Sequence, residues 1–195
     1  LSAATRLRPG TLQAMLSCAG RRPVVGIVGC RVVARRGDPL DRGRALGALE
    51  GASMGASISC GSTECETTFV SGACMLVDAA VLRLGLRRDP SYQRSGSDAD
   101  LCLRVRAIGR AIWVTQAATV ECDDDQVVRS GQIRGHARDQ VRLALRTRGW
   151  FGMLRFLVEA FLLHPLAAVL SGRGLRQLPA YFGGLVAGLA EKPHA

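Results

Sequence analysis

Residues 23–33, Pro23-Val-Val-Gly-Ile-Val-Gly-Cys-Arg-Val-Val33, form a β-branched apolar run. A run of this kind reads as a strand covered on both faces. A layered fold has to be built around it. A second run, Phe69-Val-Ser-Gly-Ala-Cys-Met-Leu-Val77, reads as another apolar strand with a glycine inside it. An interior strand glycine marks the close approach of a ligand or another backbone. Residues 111–115 and 118–120 are also strand-like. Helical segments alternate with these strands. Residues 11–19 have Thr11 as N-cap and Gly20 as stop, residues 78–84 are capped by Asp78 and ended by Gly85, and residues 98–108 are ended by Gly109. The expected class is therefore α/β, a mixed sheet flanked by helices. Residues 35–68, rich in Gly, Ser, Arg and Asp, read as a long irregular loop with one helical turn near 44–50. Loops of that length are usually functional.

The helix at 98–108 opens with two carboxylates, Asp98 and Asp100. Free backbone N–H groups and the helix dipole hold an anion at such a position. A carboxylate there can cap the helix, bind a metal or accept a proton. Ser97 with Asp100 three residues on approximates a capping box, so spacing alone favours the cap. Asp123–Asp125 reads as a solvated acidic loop, with replacement metal ligation as its rival.

The formal net charge is +10 and is unevenly spread. Residues 1–125 carry 16 arginines against 13 carboxylates, and residues 126–195 carry 10 basic residues against 3 carboxylates. The chain accordingly divides at 125/126 into an α/β part and a basic, amphipathic helical tail. In that tail Arg134, Arg138, Arg142 and Arg146 recur every four residues, which predicts one basic stripe. The apolar stretch 150–170 is interrupted by Arg155, Glu159, His164 and Pro165. That pattern suits a helix lying in a membrane interface, or packed on the domain, better than a span. Basic-then-apolar order favours an anionic membrane surface. The charge also admits nucleic acid, but no recognised module or aromatic-interleaved patch appears, so none is expected as partner. Trp113 and Trp150 read as core or interface anchors, and His136 and His164 stand alone. The seven cysteines contain no CxxC pair and read mainly as buried free thiols in a reducing compartment.

Taken in order, these segments resemble family 2 glycosyltransferases of GT-A fold, with a rhamnosyltransferase-like tail. Val24-Val-Gly-Ile-Val-Gly29 resembles the strand opening the second half of that fold. Val70-Ser-Gly-Ala-Cys-Met-Leu-Val77 is similar to the strand beside the sugar site. Ser97-Asp-Ala-Asp-Leu-Cys-Leu-Arg104 with Gly109 is similar to the helix that carries the base, and 111–120 to the strand after it. The resemblance implies a partial, Rossmann-like GT-A sheet. It implies transfer of a sugar with inversion from a nucleotide-diphosphate donor to a glycan or lipid-linked acceptor, as in cell-envelope polysaccharide synthesis. It places the enzyme at the cytoplasmic face of the membrane.

By the same resemblance, Asp98 matches the general base. Gly72 and Ala73 match the sugar-site strand, Asp100 a structural or acceptor-orienting position, and Arg104 a further substrate-side position. The family uses a divalent cation, Mg²⁺ or Mn²⁺. Thr5-Arg-Leu-Arg-Pro-Gly10 matches the stretch after the family's metal motif, so that motif falls on Ser2-Ala3-Ala4. The family's late-strand histidine falls on Cys122, or on Glu121 with a one-residue shift. Neither Ala4 nor Cys122 is a usual ligand for such a cation. The expectation is an acceptor-side part of a transferase, truncated or degenerate, without activity of its own. The rival is a non-catalytic domain of the same shape that docks on a membrane or a partner protein.

Overall fold

The computed structural model describes residues 5–34, 63–92, 96–122, 130–147, 150–163 and 178–190. These divide into two compact units. The first unit is α/β. Its elements are β1 (Thr5–Leu7), α1 (Thr11–Gly20), β2 (Val25–Ala34), β3 (Glu64–Thr67), β4 (Met75–Val77), α2 (Ala79–Arg83), α3 (Ser97–Ala107) and β5 (Ala111–Cys122).

β5 is the centre of a mixed sheet. It runs parallel to β2 along one edge. Its other edge takes β3 along Ile112–Thr115 and β1 along Val120–Cys122, both antiparallel. β4 closes the far side, antiparallel to β2. One face of the sheet buries Ile27, Ile112 and Val114 against Val81 of α2 and Leu101, Cys102 and Val105 of α3. The opposite face buries Val25, Val28, Ala118 and Val120 against Met15 and Cys18 of α1. Each fully buried aliphatic side chain contributes about 1.5–3 kcal/mol relative to exposure.

Two irregularities explain how one strand serves both faces. Along β5, Ile112 and Val114 face α3, whereas Ala118 and Val120 face α1, although all four numbers are even. Strand side chains alternate with a period of two, so an odd number of extra residues must intervene. The register supplies it: Cys30 pairs with Thr115, but Arg31 pairs with Thr119. The segments 111–115 and 118–120, expected as separate strands, are thus one strand with a bulge. A smaller shift at Val25/Ile27 makes Gly26 the extra residue of β2. A Cβ on Gly26 would lie 2.4 Å from Val105 Cγ1, so the bulge also lets α3 approach the sheet.

Several expectations are corrected. Thr11 does not cap α1. Gly10, at φ +80°, holds that position, and Thr11 Oγ1 instead donates to the Thr119 carbonyl at 2.7 Å, tying α1 to β5. Residues 69–74 are not strand, because their backbone donors are taken by side chains: Gly72 N–H donates to Asp98 Oδ2 and Ala73 N–H to Ser71 Oγ. Residues 64–67, expected as loop, are β3. Cys65 is disulfide-bonded, whereas Cys18, Cys30, Cys74 and Cys102 are free thiols. The expected helical turn near 44–50 lies outside the described residues, as do Asp123–Asp125, His164 and the side chains of Cys122, His136 and Trp150. Asp78 does cap α2, accepting from Ala80 N–H at 2.6 Å, and Gly85 and Gly109 follow their helices at φ +77° and +76°. Trp113 is half-buried against the α1 cluster, with the Arg22 guanidinium 3.8 Å over its ring.

The second unit is helical. It holds α4 (Ser130–Thr147), α5 (Trp150–Val158) continuing into a π-helical turn (Glu159–Leu163), and α6 (Leu178–Ala190). Ala137, Val141 and Ala144 of α4 pack with Phe156, Ala160 and Leu185. Gly184 and Gly188 let α6 lie on the backbone of α4: a Cβ on either would come within 3 Å of a main-chain carbonyl oxygen, Arg134's at 2.2 Å and Arg138's at 2.8 Å. The arginine series is not one solvated stripe. Arg134 and Arg146 are exposed, but Arg142 is buried and donates to the Ser91 carbonyl at 2.9 Å. Four residues advance a helix by about 40° beyond a full turn, so the series spirals around α4. Among the described residues, no helix is long and apolar enough to cross a membrane.

Candidate functional site

The first turn of α3 faces the segment that enters β4. Gly96, at φ +85°, turns the chain into the helix, and Asp98 follows on its first turn. Asp98 Oδ1 accepts from Ala99 N–H at 3.0 Å, and Oδ2 accepts from Gly72 N–H at 2.8 Å. The carboxylate is held by backbone donors on two segments of chain, and it is only half-buried. A carboxylate has about four lone-pair sites, so two bonds leave it able to accept more. It can take a proton from a group presented on its open side, provided that group lies within hydrogen-bond reach.

Gly72 leaves little room for a side chain at this contact. A Cβ there would lie 3.0 Å from Asp98 Oδ2 and 2.4 Å from Arg88 Nη2. Arg88 therefore lies over the same glycine, and the sequence carries no pattern that would single it out. Ala73 is buried, and its carbonyl accepts from Thr5 Oγ1 at 3.3 Å, joining β1 to the segment. The expected residues Gly72, Ala73 and Asp98 thus come together.

Asp100 and Arg104 form a second pair, one turn apart. Asp100 is 2% exposed, and its Oδ2 accepts from Arg104 Nε at 2.9 Å and Nη2 at 2.8 Å. Arg104 Nη2 also donates to the Arg87 carbonyl at 2.6 Å. These donors are spent inside the protein, anchoring α3 to the 87–88 segment. On the core side of the helix, burial pushes the Cys102 thiol up to about 12.

Thr5, whose hydroxyl reaches Ala73, pairs with Cys122 of β5. The chain that enters at Thr5 and the chain that leaves at Cys122 therefore share one corner. Ala4 lies outside the described residues. Among the described residues, no three His, Cys, Asp or Glu side chains gather into a cation site. No family model matches the chain, and no curated protein matches it.

Proposed function

We propose that this chain is the acceptor-side part of a GT-A glycosyltransferase of family 2, with Asp98 as its general base. The carrying observation is the 2.8 Å hydrogen bond from Gly72 N–H to Asp98 Oδ2. It joins the two motifs that the sugar-transfer reading needs side by side. In that reading, Asp98 takes the proton of an acceptor hydroxyl as the oxygen attacks the anomeric carbon of a nucleotide-diphosphate sugar. The backbone donors fix the carboxylate, so little reorganisation is needed when the proton moves. Gly72 lets the carboxylate and Arg88 come close to its backbone, and Arg88 offers positive charge to an anionic donor. Asp100 and Arg104 hold in place the helix that carries Asp98.

The test is sugar transfer by membranes from cells expressing the full reading frame, against a panel of nucleotide sugars and lipid-linked acceptors. Asp98→Asn should lower transfer by about 10²–10⁴-fold with the chain still folded, the contribution of a positioned base. Transfer unchanged in Asp98→Asn would remove Asp98 from the chemistry.

One observation favours a second reading, docking on a membrane at the cytoplasmic face. Leu154, Val158 and Leu162 recur every four residues and are all exposed, next to exposed Arg155. An exposed apolar row edged by the Arg155–Glu159 ion pair fits a membrane interface. Binding to phosphatidylglycerol vesicles that is lost in Val158→Asp, with transfer absent throughout, would favour docking over catalysis.

A further inference from the structure

Cys30 of β2 and Cys74, the residue before β4, are both free thiols. The antiparallel register pairs Gly29 with Met75, so the next rung sets Cys30 opposite Cys74. Both lie on the α1 side of the sheet, in the cluster around Met15. Within that one cluster, Cys74 Sγ donates to Met15 Sδ at 3.9 Å. Directly opposed strand residues have Cα atoms about 4.5–5.5 Å apart, inside the range of about 4.4–6.8 Å found for disulfides. We propose that Cys30 and Cys74 form a reversible cross-strand disulfide, a redox switch that fixes the segment holding Asp98. The proposal stands on strand geometry and does not depend on sugar transfer.

The neighbouring sulfurs shift each other in opposite senses: Cys74 raises Cys30, and Cys30 lowers Cys74 to about 7. Cys74 therefore gives up its proton to become the thiolate more readily than Cys30, and the thiolate is the nucleophile. The oxidant is a peroxide. Cys74 Sγ attacks one peroxide oxygen, breaks the O–O bond and becomes a sulfenic acid, releasing hydroxide. That hydroxide takes the Cys30 proton and leaves as water. Cys30 Sγ then attacks the sulfenic sulfur, the S–S bond forms, and a second hydroxide departs and is protonated. Two thiols and one peroxide give one disulfide and two waters. Cys30 is half-buried and Cys74 is 7% exposed, so only a small oxidant reaches them. The bridge would clamp the residues just after Gly72, which donates to Asp98, onto β2.

The experiment treats the purified full chain with hydrogen peroxide at neutral pH, blocks remaining thiols under denaturing conditions, and maps the cysteines by proteolysis and tandem mass spectrometry. The expected result is Cys30 joined to Cys74, reversed by dithiothreitol, with Cys18 and Cys102 still alkylated. Backbone amide exchange over 72–77 should slow several-fold in the oxidised form. In Cys30→Ser the Cys74 sulfenic acid should persist long enough for dimedone to trap it. Alkylation of both Cys30 and Cys74 after treatment, or pairing of either with another cysteine, overturns the proposal. The wild-type map decides the matter even if the variant does not fold.

Discussion

At the residue scale, glycines show most directly what the sequence commits to. Gly29 sits in β2 where a Cβ would lie 2.5 Å from Val70 Cγ1, inside the core between sheet and α3. Gly20 ends α1 with no atom within 4 Å of such a Cβ and no positive φ. Gly29→Ala is therefore overpacking and should cost about 1–3 kcal/mol. Gly20→Ala only removes unfolded-state freedom at a helix end and should be neutral or stabilising by up to about 1 kcal/mol. Urea unfolding of the two variants measures both; equal midpoints would show that the Gly29 contact is loose. Of these roles the sequence displays only the stop at Gly20. That Gly29 meets Val70 depends on residues 41 positions apart, and no local pattern records it. Thr11 is a similar case. A threonine before an apolar run reads as a cap, yet its hydroxyl has a better partner in the Thr119 carbonyl across the sheet.

At the element scale, α3 turns on the Asp100–Arg104 pair. Asp100 is 2% exposed and takes two donors from Arg104, so Arg104→Met leaves a buried carboxylate without those donors. Removing one partner of a buried pair costs about 3–5 kcal/mol, and Arg104 is partly exposed, so the lower end applies. Arg155 and Glu159 have the same spacing at 2.7 Å, but Arg155 is 64% exposed. Arg155→Met should change stability by under about 1 kcal/mol. Thermal or urea melts of the pair of variants separate a structural carboxylate from a surface one; similar losses would contradict the burial argument. Elements that bury continuous apolar runs, such as β2, were legible because hydrophobic pattern alone defines them. β3 was not, since Glu64-Cys-Glu-Thr67 is polar and half-exposed, and only the edge of β5 makes it a strand. The 69–74 segment misled in the opposite sense. Its residues suit a strand, but Asp98 and Ser71 capture its N–H groups before a neighbouring strand can. The capture that broke the strand pattern is what builds the candidate site.

At the scale of the whole molecule, each of the two units carries a desolvated titrating group, buried Cys102 in one and half-buried Tyr181 in the other, and alkaline pH tests both. Burial raises Cys102 in the α/β unit from 9.0 to about 12, and Tyr181 in the helical unit from 10.0 to about 12. Both groups are neutral when protonated, and the unfolded chain loses those protons first. A folded pKa above the unfolded one gives stability that is complete below the unfolded pKa and is lost as pH rises toward the folded value. The window for Cys102 thus opens near pH 9 and that for Tyr181 near pH 10, and both close near 12. Within its window each group removes up to about 1.4 kcal/mol per pH unit. Urea unfolding across this range should show the loss, with Cys102→Ala flattening it from pH 9 upward and Tyr181→Phe only from pH 10. If neither variant changes the alkaline slope, neither group is as desolvated as its packing requires. If Tyr181→Phe flattens the loss in helical signal alone, the two cores unfold separately. That outcome would bear on the functional reading too, because Asp98 and its backbone donors belong entirely to the α/β unit.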